Sequence, residues 1–204
     1  MIFGERYYKI LGEMSPWRQS LFALVIAQRQ LPNYALWCET ANVQGGVSAF
    51  TRALKRLWEF HFDKNNHIDL EKVIEEVEPF MLKDDKEDLT LGDLFGLDAC
   101  LALSAAVDAI ILHDGDEAEI ASRASLGGVV RAVEPEDEEL SDEELRELEA
   151  VDHEVNFQIE LMELLKESSR SVELTTKLLD LAYEDGNSNI GISLEGFAKQ
   201  DYTA

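Results

Sequence analysis

Leu21-Phe22-Ala23-Leu24-Val25-Ile26-Ala27 decides the fold. Ser15-Pro16 before it reads as an N-cap followed by proline at the first helical position, opening a helix from Trp17 to about Gln30. The stretch is apolar on every side, so this helix is expected to be central and buried.

The pattern continues outward in both chemistry and period. Pro32 opens a shorter helix through Asn33, Tyr34, Leu36, Trp37 and Cys38, and Gly45-Gly46 separates it from an amphipathic one. There Val47, Phe50, Leu54, Leu57, Trp58 and His61 recur at three and four, with Arg52, Lys55, Arg56 and Glu59 largely opposite. Asp69 caps the next helix, whose stripe is Leu70, Val73, Ile74, Val77 and Met81, and Pro79 ends or distorts it. Residues 83–93 read as a charged loop and residues 94–112 as an apolar helix broken by Asp114-Gly115-Asp116. Small residues follow at Ala121, Ala124, Ser125, Gly128 and Ala132, suited either to internal packing or to a dimer seam. Ser141-Asp142-Glu143-Glu144 fits a capping box, and the stripe beyond it predicts one long helix to about Glu184, closed by Gly186. Residues 187–204 are expected to be irregular. Period-2 alternation is absent, so the expected fold is all-α: a single compact bundle of about seven or eight helices over residues 1–195, with a mobile tail at 196–204.

Charge is unevenly spread. The net charge is −24, yet residues 1–62 carry seven cations against four carboxylates, a net of +3 that leaves −27 for the remainder. From Glu134 to Glu154, twelve carboxylates face Arg146 alone. Counterion release on nucleic acid needs clustered Lys and Arg, so neither DNA nor an anionic membrane is an expected partner. The acidic run reads either as a solvated surface or as a docking patch for a basic protein; mimicry of a phosphate backbone is a weaker reading.

The N-terminus lacks a signal-peptide pattern, and Asp98 and Asp108 make residues 94–112 a poor membrane span, so a cytoplasmic protein is expected. Cys38 and Cys100 read as reduced, structural thiols. No metal spacing, phosphate-binding glycine loop or nucleophile elbow occurs, so no catalytic residue, metal or cofactor is assigned. His61 reads as a core or boundary histidine. Asp98 and Asp108, ten residues apart, sit on nearly opposite helix faces, and Asp98 is the one expected to be buried beside a cation or donor.

Several motifs carry a resemblance in order along the chain: Pro32-Asn33-Tyr34 with Cys38, Leu57-Trp58-Glu59, Asp98-Ala99-Cys100 with Ala102-Leu103-Ser104, Leu140-Ser141-Asp142-Glu143-Glu144, and Ser188-Asn189-Ile190-Gly191. Together they resemble the YjaG-like family of uncharacterised bacterial proteins. The resemblance implies a compact all-α cytoplasmic protein without an assigned activity. It places any ligand site at Asn33, Tyr34, Cys38, Asp98, Ser188 and Asn189. Two functions compete: a non-enzymatic interaction module using the acidic half, and a small-molecule binder or enzyme with a pocket near Asp98, Tyr34 and Cys38.

Overall fold

The computed structural model describes residues 2–63, 66–82, 88–135, 140–199 and 202. Ten α-helices occur among them: α1 (Glu5–Gly12), α2 (Pro16–Arg29), α3 (Leu31–Thr40), α4 (Gly46–Phe62), α5 (Leu70–Val77), α6 (Leu91–Ile111), α7 (Glu117–Val133), α8 (Asp142–Glu147), α9 (Glu149–Glu167) and α10 (Val172–Tyr183). A 3-10 turn, Glu78–Phe80, contains Pro79 and follows α5. No strand is present among the described residues.

All of Gln19 to Arg29 is buried, so α2 is the central helix the apolar stretch demanded. It packs most extensively on α6, and α6 packs next most on α7. Small residues on both sides permit that approach: Ala99, Ala102 and Ala106 on α6, with Ala121, Ser125 and Gly128 on α7, are all buried. The α6 helix is long and apolar enough to cross a bilayer, but 56% of its most apolar window lies inside the fold.

Two boundaries differ from the sequence reading. α6 starts at Leu91, because Thr90 and Asp93 form a reciprocal capping box inside the stretch read as a loop. The expected long C-terminal helix is three helices; these two extra helices, with α1 in a stretch where the sequence reading named none, bring the seven or eight expected to ten among the described residues. Leu148 adopts an extended backbone between α8 and α9. Ser168 is also extended, and the Ser171 side chain then caps α10 by accepting from the Leu174 N–H. Neither break carries Gly or Pro, so the apolar stripe runs across both without a signal. Part of the acidic connector, residues 136–139, lies outside the described residues.

Candidate functional site

α2 ends on a cation that the fold must accommodate. Arg29 is 3% exposed, and its two terminal nitrogens are both engaged. Nη1 donates to Glu154 Oε2 at 2.5 Å and Nη2 to Asp185 Oδ2 at 3.2 Å, while the guanidinium lies 4.0 Å over the Phe157 ring. Glu154 is fully buried on α9 and also accepts from Ser125 Oγ at 2.5 Å and Gln158 Nε2 at 2.7 Å. The Gln158 carbonyl oxygen in turn accepts from Ser122 Oγ and the Tyr7 hydroxyl. Helical spacing builds this ladder: Glu154 and Gln158 are one turn apart on α9, opposite Ser122 and Ser125 on α7. Each side chain of this ladder finds a partner, as burial requires, whereas the neighbouring buried Gln30 amide has none among the described residues.

The network reaches the surface through Asp185, whose Oδ2 also takes His153 Nε2 at 2.8 Å. A carboxylate only accepts, so that ring nitrogen carries the hydrogen. Beyond Gly186 the chain turns back tightly. Ser188 N–H donates to the Ile192 carbonyl at 2.7 Å, Ile192 N–H to Ser188 Oγ, and Gly191 holds a left-handed φ of 84°. This turn presses Asn189 inward, where it accepts from Asn33 Nδ2 at 2.8 Å and donates to the Ser125 carbonyl at 3.0 Å.

Between the turn, α7 and α9 lies a cleft of about 620 Å³. Val129, Ala132 and Val133 form one wall, Glu149, Ala150 and His153 another, and Asp185 to Gly191 the rim, with Arg29 inside. Its size suits a small-molecule or side-chain site.

Of the residues singled out from sequence, Ser188 and Asn189 line this cleft, and Asn33 bonds Asn189 from behind. Asp98 is buried, as expected, and ion-paired with Arg131. Burial pushes its carboxyl up to about 6 against the pull of that guanidinium. A Cβ on Gly128 would meet Asp98 Oδ2 at 2.9 Å and Asn189 Nδ2 at 3.6 Å, so glycine alone lets these groups flank α7. Tyr34 and Cys38 lie on the other face of α3. Tyr34 stacks on Phe50 and donates to the Phe80 carbonyl at 2.9 Å, and both side chains crowd Gly46. Burial pushes the Cys38 thiol up and the Cys100 thiol to about 12, so neither carries thiolate character. Asp98, Tyr34 and Cys38 do not border the cleft.

Sequence reading missed Arg29, Glu154, Gln158, His153 and Asp185. A signal existed for the first three: a cation ending an all-apolar helix, and polar residues one turn apart on the buried face of α9. Glu154 was counted with a solvated acidic run, where charge density hid its position. Asp185 and His153 carried no signal, because their convergence is tertiary.

The family model described as "Protein of unknown function (DUF416)" matches residues 6–193. The uncharacterized protein YjaG of Escherichia coli K12 is 32% identical over 187 residues, covering 89% of this chain and 93% of that relative. An uncharacterized protein of Haemophilus influenzae is 29% identical over 188 residues, covering 91% and 95% respectively. The crystal structure of a DUF416 family protein from Shewanella baltica OS155 matches with a TM-score of 0.78 at 27% identity, covering 94% of this chain and 99% of the other. On a match running through nearly its whole length, the chain belongs to the DUF416 family of proteins of unknown function, in which the YjaG proteins are its relatives.

Proposed function

We propose that the protein is a non-enzymatic cytoplasmic binding module, with the cleft above Arg29 as its recognition point and the adjoining acidic face as the guide for a basic partner. One observation carries this reading. Arg29, Glu154, Ser125, Gln158 and Asn189 are bonded into one buried polar network beside a preformed cleft, which abuts exposed carboxylates. Asp142, Glu143, Glu144 and Glu147 of α8 are all exposed, and Glu149 continues them into the cleft wall. Such a field raises encounter rates with cations and is screened by salt.

The test is capture of a basic partner at low and high salt by the wild type and by a variant carrying Asp142→Asn, Glu143→Gln and Glu147→Gln. This variant spares the capping pair Ser141 and Glu144. Capture that salt and the variant both abolish, with cleft amides protected from hydrogen exchange in the complex, supports the reading. A protein with no salt-sensitive partner overturns it. The cleft's volume favours a second reading, a small metabolite as ligand. A thermal-shift screen separates the two, since a ligand at 100 times its dissociation constant adds about 2.7 kcal/mol.

A further inference from the structure

The cleft's lining also fixes the kind of group it accepts. Arg29 is the cation within it, and both terminal nitrogens of that guanidinium are committed to Glu154 and Asp185. An incoming anion would find no free cation among the described lining residues, and would meet the carboxylates of Glu149 and Asp185. Helix ends add to the bias. The C-termini of α7 and α10 abut the cleft at Val133 and Asp185, against the single N-terminus of α9. Carbonyl-bearing ends favour positive charge. Val129, Ala132, Val133, Ala150 and Ile190 make an aliphatic wall, while His153, already bonded to Asp185, is the ring among the described lining residues and Asn187, Ser188 and Asn189 add neutral polar groups. That wall offers no stacking surface for a planar base or aromatic ligand.

We propose that the cleft binds a primary alkylammonium group, with a short aliphatic chain lying along Ala132, Val133 and Ile190 above the buried Val129, and the ammonium held between Glu149 and Asp185. An ammonium fits better than a guanidinium. Asp185 Oδ2 already serves Arg29 and His153, leaving one oxygen there, and a compact three-donor head needs only single acceptors whereas a planar fork needs a free pair. The inference rests on the cleft being the recognition site. The same chemistry occurs in a free diamine and in a lysine side chain of a partner.

Methyl-selective NMR of the whole protein tests it, using 1,5-diaminopentane, Nα-acetyl-lysine methylamide, 1-hexanol and hexanoate as probes. The expected result is saturable shifts of the Val129, Val133 and Ile190 methyls with the amines, and affinity weaker by at least threefold in Glu149→Gln. Pentylguanidine, which carries no ammonium, should bind less tightly than pentylamine. Ala150→Leu, which extends a half-buried wall residue into the cleft, should abolish binding without unfolding. Tighter binding of the lysine derivative identifies a polypeptide source, and tighter binding of the diamine a free one. If hexanol or hexanoate moves the same methyls as strongly, the ligand class is wrong while the cleft remains a site. If no probe moves them, the cleft reading itself fails. Amine shifts that do not saturate and spread over α8 are counterion binding, and overturn the proposal.

Discussion

Ser20 and Arg29 lie nine residues apart on α2, equally buried, and hold two unlike polar clusters. Ser20 Oγ donates to the Ala106 carbonyl at 2.5 Å and so accepts from His61 Nε2 at 2.9 Å, which fixes the ring hydrogen on that nitrogen. His61 is 2% exposed, Ser20 is fully buried, and the His61 Nδ1 has no hydrogen-bond partner among the described residues. The Arg29 cluster instead runs outward through Asp185 and His153 to a cleft. Burial is the same in both. What marks the second as a candidate site is that its chain of bonds ends in groups that water and a ligand can reach.

The largest effect should come from cutting the buried ion pair. Glu154→Ala leaves Arg29 with only the half-exposed Asp185 and should cost about 3–5 kcal/mol, because an uncompensated charge stays inside. For a chain of this size that lowers Tm by about 10 °C. The double variant Arg29→Met with Glu154→Leu should recover most of the loss, since an apolar pair of similar volume removes the charge with its partner. Denaturant titration of the three proteins decides the point. A double variant no more stable than Glu154→Ala would mean that the pair's hydrogen bonds to Ser125 and Gln158 outweigh its desolvation.

The closed cluster should answer to acid. Burial lowers His61 from its ordinary 6.5 to about 3, and the Arg170 guanidinium nearby adds to the depression. Its neutral ring therefore contributes fully above pH 6.5, and the contribution is lost as pH falls toward 3. Between pH 6.5 and 4 the loss is about 3 kcal/mol. His61→Gln, which can still donate to Ser20, should remove that slope; a slope unchanged in the variant assigns the acid sensitivity elsewhere.

Asp98 slopes the opposite way. Its carboxyl is raised from 3.8 to about 6, so the folded chain prefers the protonated form. That contribution is full below about pH 4 and is lost as pH rises through 6, by somewhat under 3 kcal/mol. Asp98→Asn should flatten this component, and in a His61→Gln background the two opposed slopes become separately measurable. If stability in that background still falls on acidification, burial of Asp98 is weaker than the structure implies.

How much of this was legible follows from range. The α2 core, the Asp69 and Ser141 caps and the left-handed Gly186 are local facts, written within a turn of themselves. The breaks at Leu148 and Ser168 were hidden because the residues there are ordinary helix-compatible ones, with neither Gly nor Pro to mark the extended backbone. Asn33, Ser188 and Asn189, singled out through a resemblance rather than a pattern, lie in or directly behind the cleft. Their partner Ser125 was read only as a small residue. The Arg29 to Asp185 contact spans 156 positions, and no period reaches that far.

The smallest effect separates the two kinds of charge on this protein. Exposed carboxylates on α8 repel across a Debye length that shrinks from ~10 Å at about 0.1 M salt to ~3 Å at about 1 M. The Arg29–Glu154 contact excludes salt and is barely screened. Raising NaCl should therefore lift Tm by a few degrees in the wild type through relief of its net charge of −24. Glu154→Ala should gain the same increment, so that the gap between the two proteins stays constant. A gap that closes with salt would place the pair within reach of solvent ions, and the distinction between a sealed network and an open cleft would then have to be drawn further out, at Asp185.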